Sequence, residues 1–257
     1  LAYAKAHWTK PPRYLLLVGD ASFDPRNYLG FGWSDLVPTK LVDTRYLETA
    51  SDYWLTDFDG DGIADIPVGR IPVQLPSEAT AAIGKIVAYD SSAKFNRVLL
   101  VADANDKDND FEGLSGRVKA VVPSRIWVSE IFRGQLGDGP AKSELTSQLQ
   151  FGQTLVNYLG HGTVDAWAGY WVTDTDARAL SNYWYPFVVS MTCLNGFFHE
   201  PHQESLAEGL LEGPGGAVAV WALRFGDSGA AAQNARLREA VSLSLDRATM
   251  AGVLLQK

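Results

Sequence analysis

Cysteine is almost missing from this chain of 257 residues: Cys193 is the only one. A single thiol excludes an internal disulfide and any zinc cluster built on cysteines. Histidine is scarce too, at 4 residues, so a site that needs imidazole has few candidates. Basic residues are in deficit, 22 Lys and Arg against 30 Asp and Glu, and the formal net charge is −8. That balance disfavours a nucleic-acid binder, whose footprint is a basic patch. No apolar run approaches the ~20 residues needed to cross a bilayer, so no membrane span is expected. The opening Leu1-Ala2-Tyr3-Ala4-Lys5-Ala6-His7-Trp8 has no initiator Met and no signal-peptide core, and the chain reads as a piece of a longer protein. What is present suits a folded domain. Hydrophobic residues make up 46% and charged residues 20%, which argues against disorder.

Short apolar runs of strand length alternate with segments of helical spacing. Strands are expected at Tyr14–Gly19, Asp65–Val68, Val98–Ala102, Arg125–Glu130, Thr154–Leu159, Phe187–Cys193 and Ala217–Ala222. Leu15-Leu16-Leu17-Val18 and Val98-Leu99-Leu100-Val101 are apolar on both faces, as strands buried between two helix layers are. Helices are expected at Ser77–Asp90, Gly113–Val121, Lys142–Gln150, Thr175–Tyr183, Glu204–Leu211 and Ala230–Leu255, with Ser77 and Asp174 as helix starts. The alternation predicts an α/β fold with a mainly parallel, doubly wound sheet, whose functional groups collect at the carboxyl ends of the strands. Pro72 and Pro76 flank a turn, a helix follows, and a new buried strand opens at Val98. The chain is therefore divided into an N-terminal part, residues 1–93, and a C-terminal part, residues 94–257. The last helix runs to Lys257 uncapped, so a trimmed C-terminus is expected as well.

One constellation carries chemistry. The strand Thr154–Leu159 runs into Gly160-His161-Gly162-Thr163, and the strand Phe187–Thr192 runs into Cys193-Leu194-Asn195-Gly196. One helix between them makes a β-α-β crossover, which sets the strands parallel with both carboxyl ends at one sheet edge. His161 and Cys193 can meet there. An imidazole beside a thiol raises its effective nucleophilicity, and the same imidazole protonates a leaving amine. The backbone N–H groups of Gly162 and Cys193 are placed for an oxyanion hole. Taken singly, a strand-end Cys reads as core filler and a His between glycines as a turn residue. The joint pattern favours catalysis.

Leu155-Val156-Asn157-Tyr158-Leu159-Gly160-His161-Gly162, with Ala166-Trp167 after it, resembles the histidine motif of the gingipain family of cysteine peptidases. Thr192-Cys193-Leu194-Asn195-Gly196-Phe197, then Ser205-Leu206-Ala207-Glu208 and Gly215-Gly216-Ala217-Val218-Ala219, resembles that family's cysteine motif and the strand after it. Leu17-Val18-Gly19-Asp20-Ala21-Ser22-Phe23-Asp24-Pro25 and Val68-Gly69-Arg70-Ile71-Pro72-Val73 are similar to further signatures. The resemblance implies a caspase-like α/β fold: a mainly parallel sheet sandwiched by helices, in two subdomains with the first incomplete and the dyad in the second. It implies Cys193 as nucleophile, His161 as acid/base, Gly162 as an oxyanion contributor and Glu48 as the acid that orients the histidine. It also implies a protein or peptide substrate and a secreted or cell-surface setting. Leu223-Arg224-Phe225-Gly226 departs from the small hydroxyl residues that usually follow the strand at Ala217–Ala222. The rival class is a peptidase-like module that no longer cleaves and serves as a Ca²⁺-dependent binding or adhesion domain.

A second constellation is Asp57-Phe58-Asp59-Gly60-Asp61-Gly62-Ile63-Ala64-Asp65. Alternate carboxylates with glycines for the turn wrap oxygen ligands around Ca²⁺, and Asp57, Asp59, Asp61 and Asp65 are the expected ligands. The plain alternative is a metal-free acidic turn. By position relative to Val68-Gly69-Arg70, Asp61 also falls near the acidic residue with which some gingipain-like enzymes bind a basic side chain. The acidic stretch Asp103–Glu112 offers carboxylates to a further Ca²⁺, but a solvated surface loop is the favoured reading. His199-Glu200-Pro201-His202 lacks the spacing of a helical zinc site and reads as a surface loop.

Overall fold

The computed structural model describes residues 1–32, 35–44, 47–62, 64–91 and 96–222. Its strands are β1 (Leu15–Val18), β2 (Lys40–Asp43), β3 (Glu48–Ser51), β4 (Val68–Ile71), β5 (Arg97–Ala102), β6 (Trp127–Phe132), β7 (Leu155–Leu159), β8 (Phe187–Met191) and β9 (Ala219–Ala222). Its helices are α1 (Ala2–His7), α2 (Pro76–Ser91), α3 (Phe111–Val121), α4 (Arg133–Leu136), α5 (Asp138–Phe151), α6 (Asp174–Arg178) and α7 (Leu206–Glu212). The described chain falls into two units, one of Leu1–Leu15 with Lys40–Gly69 and one of Leu16–Thr39 with 70–222. The expected boundary between residues 93 and 94 lies outside the described residues, as do the expected helix Ala230–Leu255 and the departure at Leu223–Gly226.

In the first unit, β2 and β3 pair antiparallel from Lys40↔Ser51 to Asp43↔Glu48. The Asp57–Asp65 loop follows, closed where the Asp65 N–H donates to Thr56 O at 2.8 Å.

In the second unit, five parallel strands run in the order β6-β5-β7-β8-β9. β5 has no polar residue after Arg97, and Val98 through Ala102 are buried on both faces, so it takes the interior of the sheet. Leu99, Val101, Val156, Tyr158 and Val188 share one core with Leu145 and Leu149 of α5, Ala177 of α6 and Leu206 and Leu210 of α7. Burying one such aliphatic side chain contributes about 1.5–3 kcal/mol. α3 packs on β5 and β7. Right-handed crossovers account for the layering. The step from β5 to β6 runs one way across the sheet and every later step runs the other, so α3 takes one face and α5, α6 and α7 take the opposite one. The reversal opens a crevice beyond the carboxyl ends of β5 and β7, where such sheets bind ligands.

The elements differ from expectation in a few places. β4 lies at Val68–Ile71 rather than Asp65–Val68, because Pro67 cannot donate to a ladder. β8 stops at Met191, two residues before Cys193, and α6 ends at Arg178 rather than at Tyr183. Thr173, not Asp174, caps α6, through a capping box with Asp176. β2, β3, α1 and α4 were not expected.

Candidate active site

β7 and β8 pair in parallel up to Leu159↔Met191. His161 and Cys193 each follow two residues beyond that last couple, so the ladder sets them at equivalent positions on neighbouring strand ends. The expected glycines serve packing here. A Cβ on Gly162 would stand 2.6 Å from Thr192 Oγ1, and one on Gly160 would stand 2.5 Å from Asp103 Cβ. Neither position tolerates a side chain without displacing a neighbour.

The backbone of His161 is held from both sides. Its N–H donates to Asp103 Oδ2 at 3.3 Å, and its carbonyl accepts from Tyr158 Oη at 2.7 Å and from the Ala168 N–H at 2.9 Å. Burial pushes the Tyr158 phenol up, which keeps it a donor. Asp103 is itself buried, and its charge is matched by Arg133 at 2.9 Å. From His161 the chain turns through a narrow hairpin in which Gly162 and Trp167 face each other as an antiparallel bridge. The hairpin bonds come from the flanking residues, Thr163 N–H to Ala166 O and Ala168 N–H to His161 O, both at 2.9 Å. Gly162 therefore occupies a non-hydrogen-bonded position, and its N–H points out of the hairpin ladder.

The imidazole meets a carboxylate that the sequence reading passed over. His161 Nε2 lies 2.7 Å from Asp106 Oδ2, and the Phe111 ring stands edge-on at 5.1 Å between centroids. The hydrogen bond from His161 holds the Asp106 carboxyl well below the usual carboxylate range, helped by the N–H of Asp108 and by Asn109. An ionised carboxylate only accepts, so Nε2 carries a proton, and in the neutral ring Nδ1 is the nitrogen with a lone pair. Asp103 and Asp106 lie in the loop after β5, the strand beside β7. The signal for them was the strand order, which places that loop next to His161.

Cys193 is half-buried, and burial pushes its thiol up from the ordinary value. Its carbonyl accepts from the Asn195 N–H at 2.8 Å, and Leu194 between them has φ 60°. An i to i+2 hydrogen bond around a residue of positive φ is a γ-turn of the rarer, strained hand, so the backbone reverses directly after the thiol. The first turn of α7 supports both loops: the Leu206 N–H donates to Val164 O at 2.9 Å and the Ala207 N–H to Asn195 O at 3.0 Å. A capping box between Ser205 and Glu208 starts that helix.

The remaining expected site residues lie in the first unit. Glu48 opens β3 opposite Asp43. Asp57, Asp59 and Asp61 each offer a carboxylate oxygen, all within 4.8 Å of one another, while Asp65 Oδ2 accepts from the Phe58 N–H at 2.7 Å. Three hard oxygen donors on one short loop fit Ca²⁺ better than a softer metal. His199, expected on a surface loop, is buried against Phe197 at 4.0 Å between ring centroids, whereas His202 pairs with Glu200. Trp167 and Trp171 are buried core residues.

No described helix is long and apolar enough to cross a membrane. A search of curated proteins finds no match. Among solved structures, the crystal structure of the Arg-specific cysteine proteinase gingipain R (RgpB) is similar, with TM-score 0.68 and 20% identity over 85% of this chain and 50% of that one. The complex of Porphyromonas gingivalis RgpB pro- and mature domains gives TM-score 0.72 and 19% identity over 95% of this chain and 58% of that one. The chain thus spans between half and three-fifths of those two chains. The likeness shows a shared fold. The profile of peptidase family C25 matches residues 1–255. The chain therefore belongs to peptidase family C25, the gingipain family of cysteine peptidases.

Proposed function

We propose that this chain is a cysteine endopeptidase domain acting on protein or peptide substrates, with Cys193 as nucleophile and His161 as acid and base. The observation that carries this reading is the pairing of β7 with β8, which sets the two residues at matching strand ends while Asp106 holds the imidazole at Nε2. A thiol raised by burial needs a nearby proton acceptor. His161 Nδ1 takes the Sγ proton as sulfur bonds to the peptide carbonyl carbon. The oxyanion is met by the N–H groups of Gly162 and Cys193, at roughly 3–4 kcal/mol per donor in hydrolases of this kind. The C–N bond then breaks as the imidazolium protonates the amine, leaving a thioester that water hydrolyses with His161 as base. In this reading Asp106 orients the histidine. Glu48 is the acid implied by resemblance, and comparing Asp106→Asn with Glu48→Gln separates the two.

The test is alkylation of Cys193 by iodoacetamide across pH, read by intact mass, in wild type and His161→Ala. Labelling near neutral pH that slows by about tenfold or more without His161 supports the dyad. Labelling that follows an ordinary thiol and ignores His161 overturns it, and the non-cleaving binding module then leads. We further propose that Asp57, Asp59 and Asp61 hold a structural Ca²⁺, in keeping with a secreted or cell-surface setting. Calcium in the millimolar range should then raise the melting temperature of wild type but not of Asp59→Asn.

A further inference from the structure

The two catalytic loops are joined by one buried side chain. Asn195, 1% exposed, follows Cys193 by two residues. Its Oδ1 accepts from Ser190 Oγ at 2.9 Å, and its Nδ2 donates to Thr163 O at 2.7 Å and Ala166 O at 3.2 Å. Ser190 Oγ in turn accepts from Trp167 Nε1 at 3.0 Å. The direction of each bond follows from its partners. The indole N–H can only donate, so the serine hydroxyl spends its own proton on Asn195, and the amide nitrogen is left facing two carbonyls that can only accept. Thr163 and Ala166 are the residues that close the hairpin carrying His161, and Ser190 lies in β8 ahead of Cys193. One carboxamide therefore ties the histidine hairpin to the cysteine strand and its turn, without facing solvent.

We propose that Asn195 is a positioning residue that keeps His161 in register with Cys193. The proposal rests on the peptidase reading above. The carboxamide does not touch the reacting atoms; it fixes the separation of the two loops that bear them. A misplacement of about 1 Å between reacting groups can cost on the order of 100-fold in rate. An aliphatic replacement of similar size would fill the space but release the hairpin. Aspartate would place a carboxylate against two carbonyl oxygens.

The test is a double-mutant cycle in the full chain, read as the rate of Cys193 alkylation by iodoacetamide near neutral pH in wild type, Asn195→Ala, His161→Ala and the double variant. Far-UV circular dichroism and melting are followed in parallel. Asn195→Ala is expected to slow alkylation by about 10-fold or more when His161 is present, and to change it less than about twofold when His161 is absent. A general loosening would instead affect both backgrounds alike. Equal slowing with and without His161, or no slowing at all, overturns the proposal. If His161→Ala alone changes nothing, the peptidase reading itself has failed and the proposal falls with it. Should Asn195→Ala not fold, Ser190→Ala enters the cycle in its place. That variant removes the anchor for both Asn195 Oδ1 and Trp167 Nε1, and the same His161-dependent loss is required of it.

Discussion

Replacing Lys85 by methionine tests whether the buried polar contacts of the second unit stabilise it. Lys85 in α2 is 3% exposed, and its Nζ donates to the carbonyls of Leu210, Gly213 and Gly215 at 3.0, 2.9 and 2.7 Å. These oxygens lie at the carboxyl end of α7 and just beyond it, where helical carbonyls have no partner of their own. Two effects oppose each other. Burial lowers the ammonium from 10.5 to about 8, a cost of about 3 kcal/mol that methionine would relieve. Losing three charge-assisted bonds costs about 1.5–3 kcal/mol each, and the Ala217 N–H at 2.8 Å compensates only at Leu210. The bonds win, and Lys85→Met is expected to destabilise by about 2–5 kcal/mol in urea unfolding at neutral pH. A pH arm isolates the ammonium. From about pH 8 to the ordinary 10.5 the native protein has shed the Lys85 proton and the unfolded chain keeps it, so this residue's contribution to stability rises with pH across that window. The rise should be missing in the methionine variant. A variant within about 0.5 kcal/mol of wild type would refute the reasoning.

Asp20 is buried, and its carboxyl is raised from 3.8 to about 7 by burial, against the pull of the Ala21 N–H, Gln74 and Arg70. Between those values the unfolded chain has lost the proton that the native protein keeps, so stability falls by up to about 4 kcal/mol as pH rises from about 4 to 7. Melting curves of wild type and Asp20→Asn across that range check it, the variant showing the shallower fall. Gly160→Ala forces a methyl onto Asp103 Cβ and Tyr158 Oη, each 2.5 Å away, and is expected to cost about 1–3 kcal/mol in urea unfolding. Asp106→Asn should leave melting within about 2 °C of wild type, because the residue sits on an exposed loop, while slowing Cys193 alkylation several-fold.

Pattern carried the reading furthest where burial is two-sided. Val98–Ala102, Leu155–Leu159 and Phe187–Met191 are short apolar runs with no competing helical period, and each is a strand of the parallel sheet. β2 and β3 escaped notice because Lys40-Leu41-Val42-Asp43 and Glu48-Thr49-Ala50-Ser51 are four residues long, the first half polar and the second polar at all but Ala50. Their identity comes from pairing with each other, which no single window contains. His161 and Cys193 were legible because both follow apolar strands joined by one crossover. Asp106 was not, since its loop is acidic and exposed, and only the strand order brings it beside His161. Asn195 stood within a quoted motif, but its partners Thr163 and Ala166 are about thirty residues upstream.

The attachment of the His161 and Cys193 loops to α7 has a consequence for tolerance to change. Val164 and Asn195 are held by consecutive backbone N–H groups, those of Leu206 and Ala207. Consecutive helical residues are separated by a rise of about 1.5 Å whatever side chains they bear. A substitution that nudges α7 along or away from the sheet therefore carries the two loops together, and their spacing survives as a common displacement. Among changes within α7, it is unwinding of the first turn that alters one loop relative to the other. The helix behaves as a two-mark ruler. A substitution later in α7 that shifts the helix as a whole leaves the spacing of the two loops unchanged, whereas loss of the capping pair Ser205 and Glu208 that seals the first turn does not.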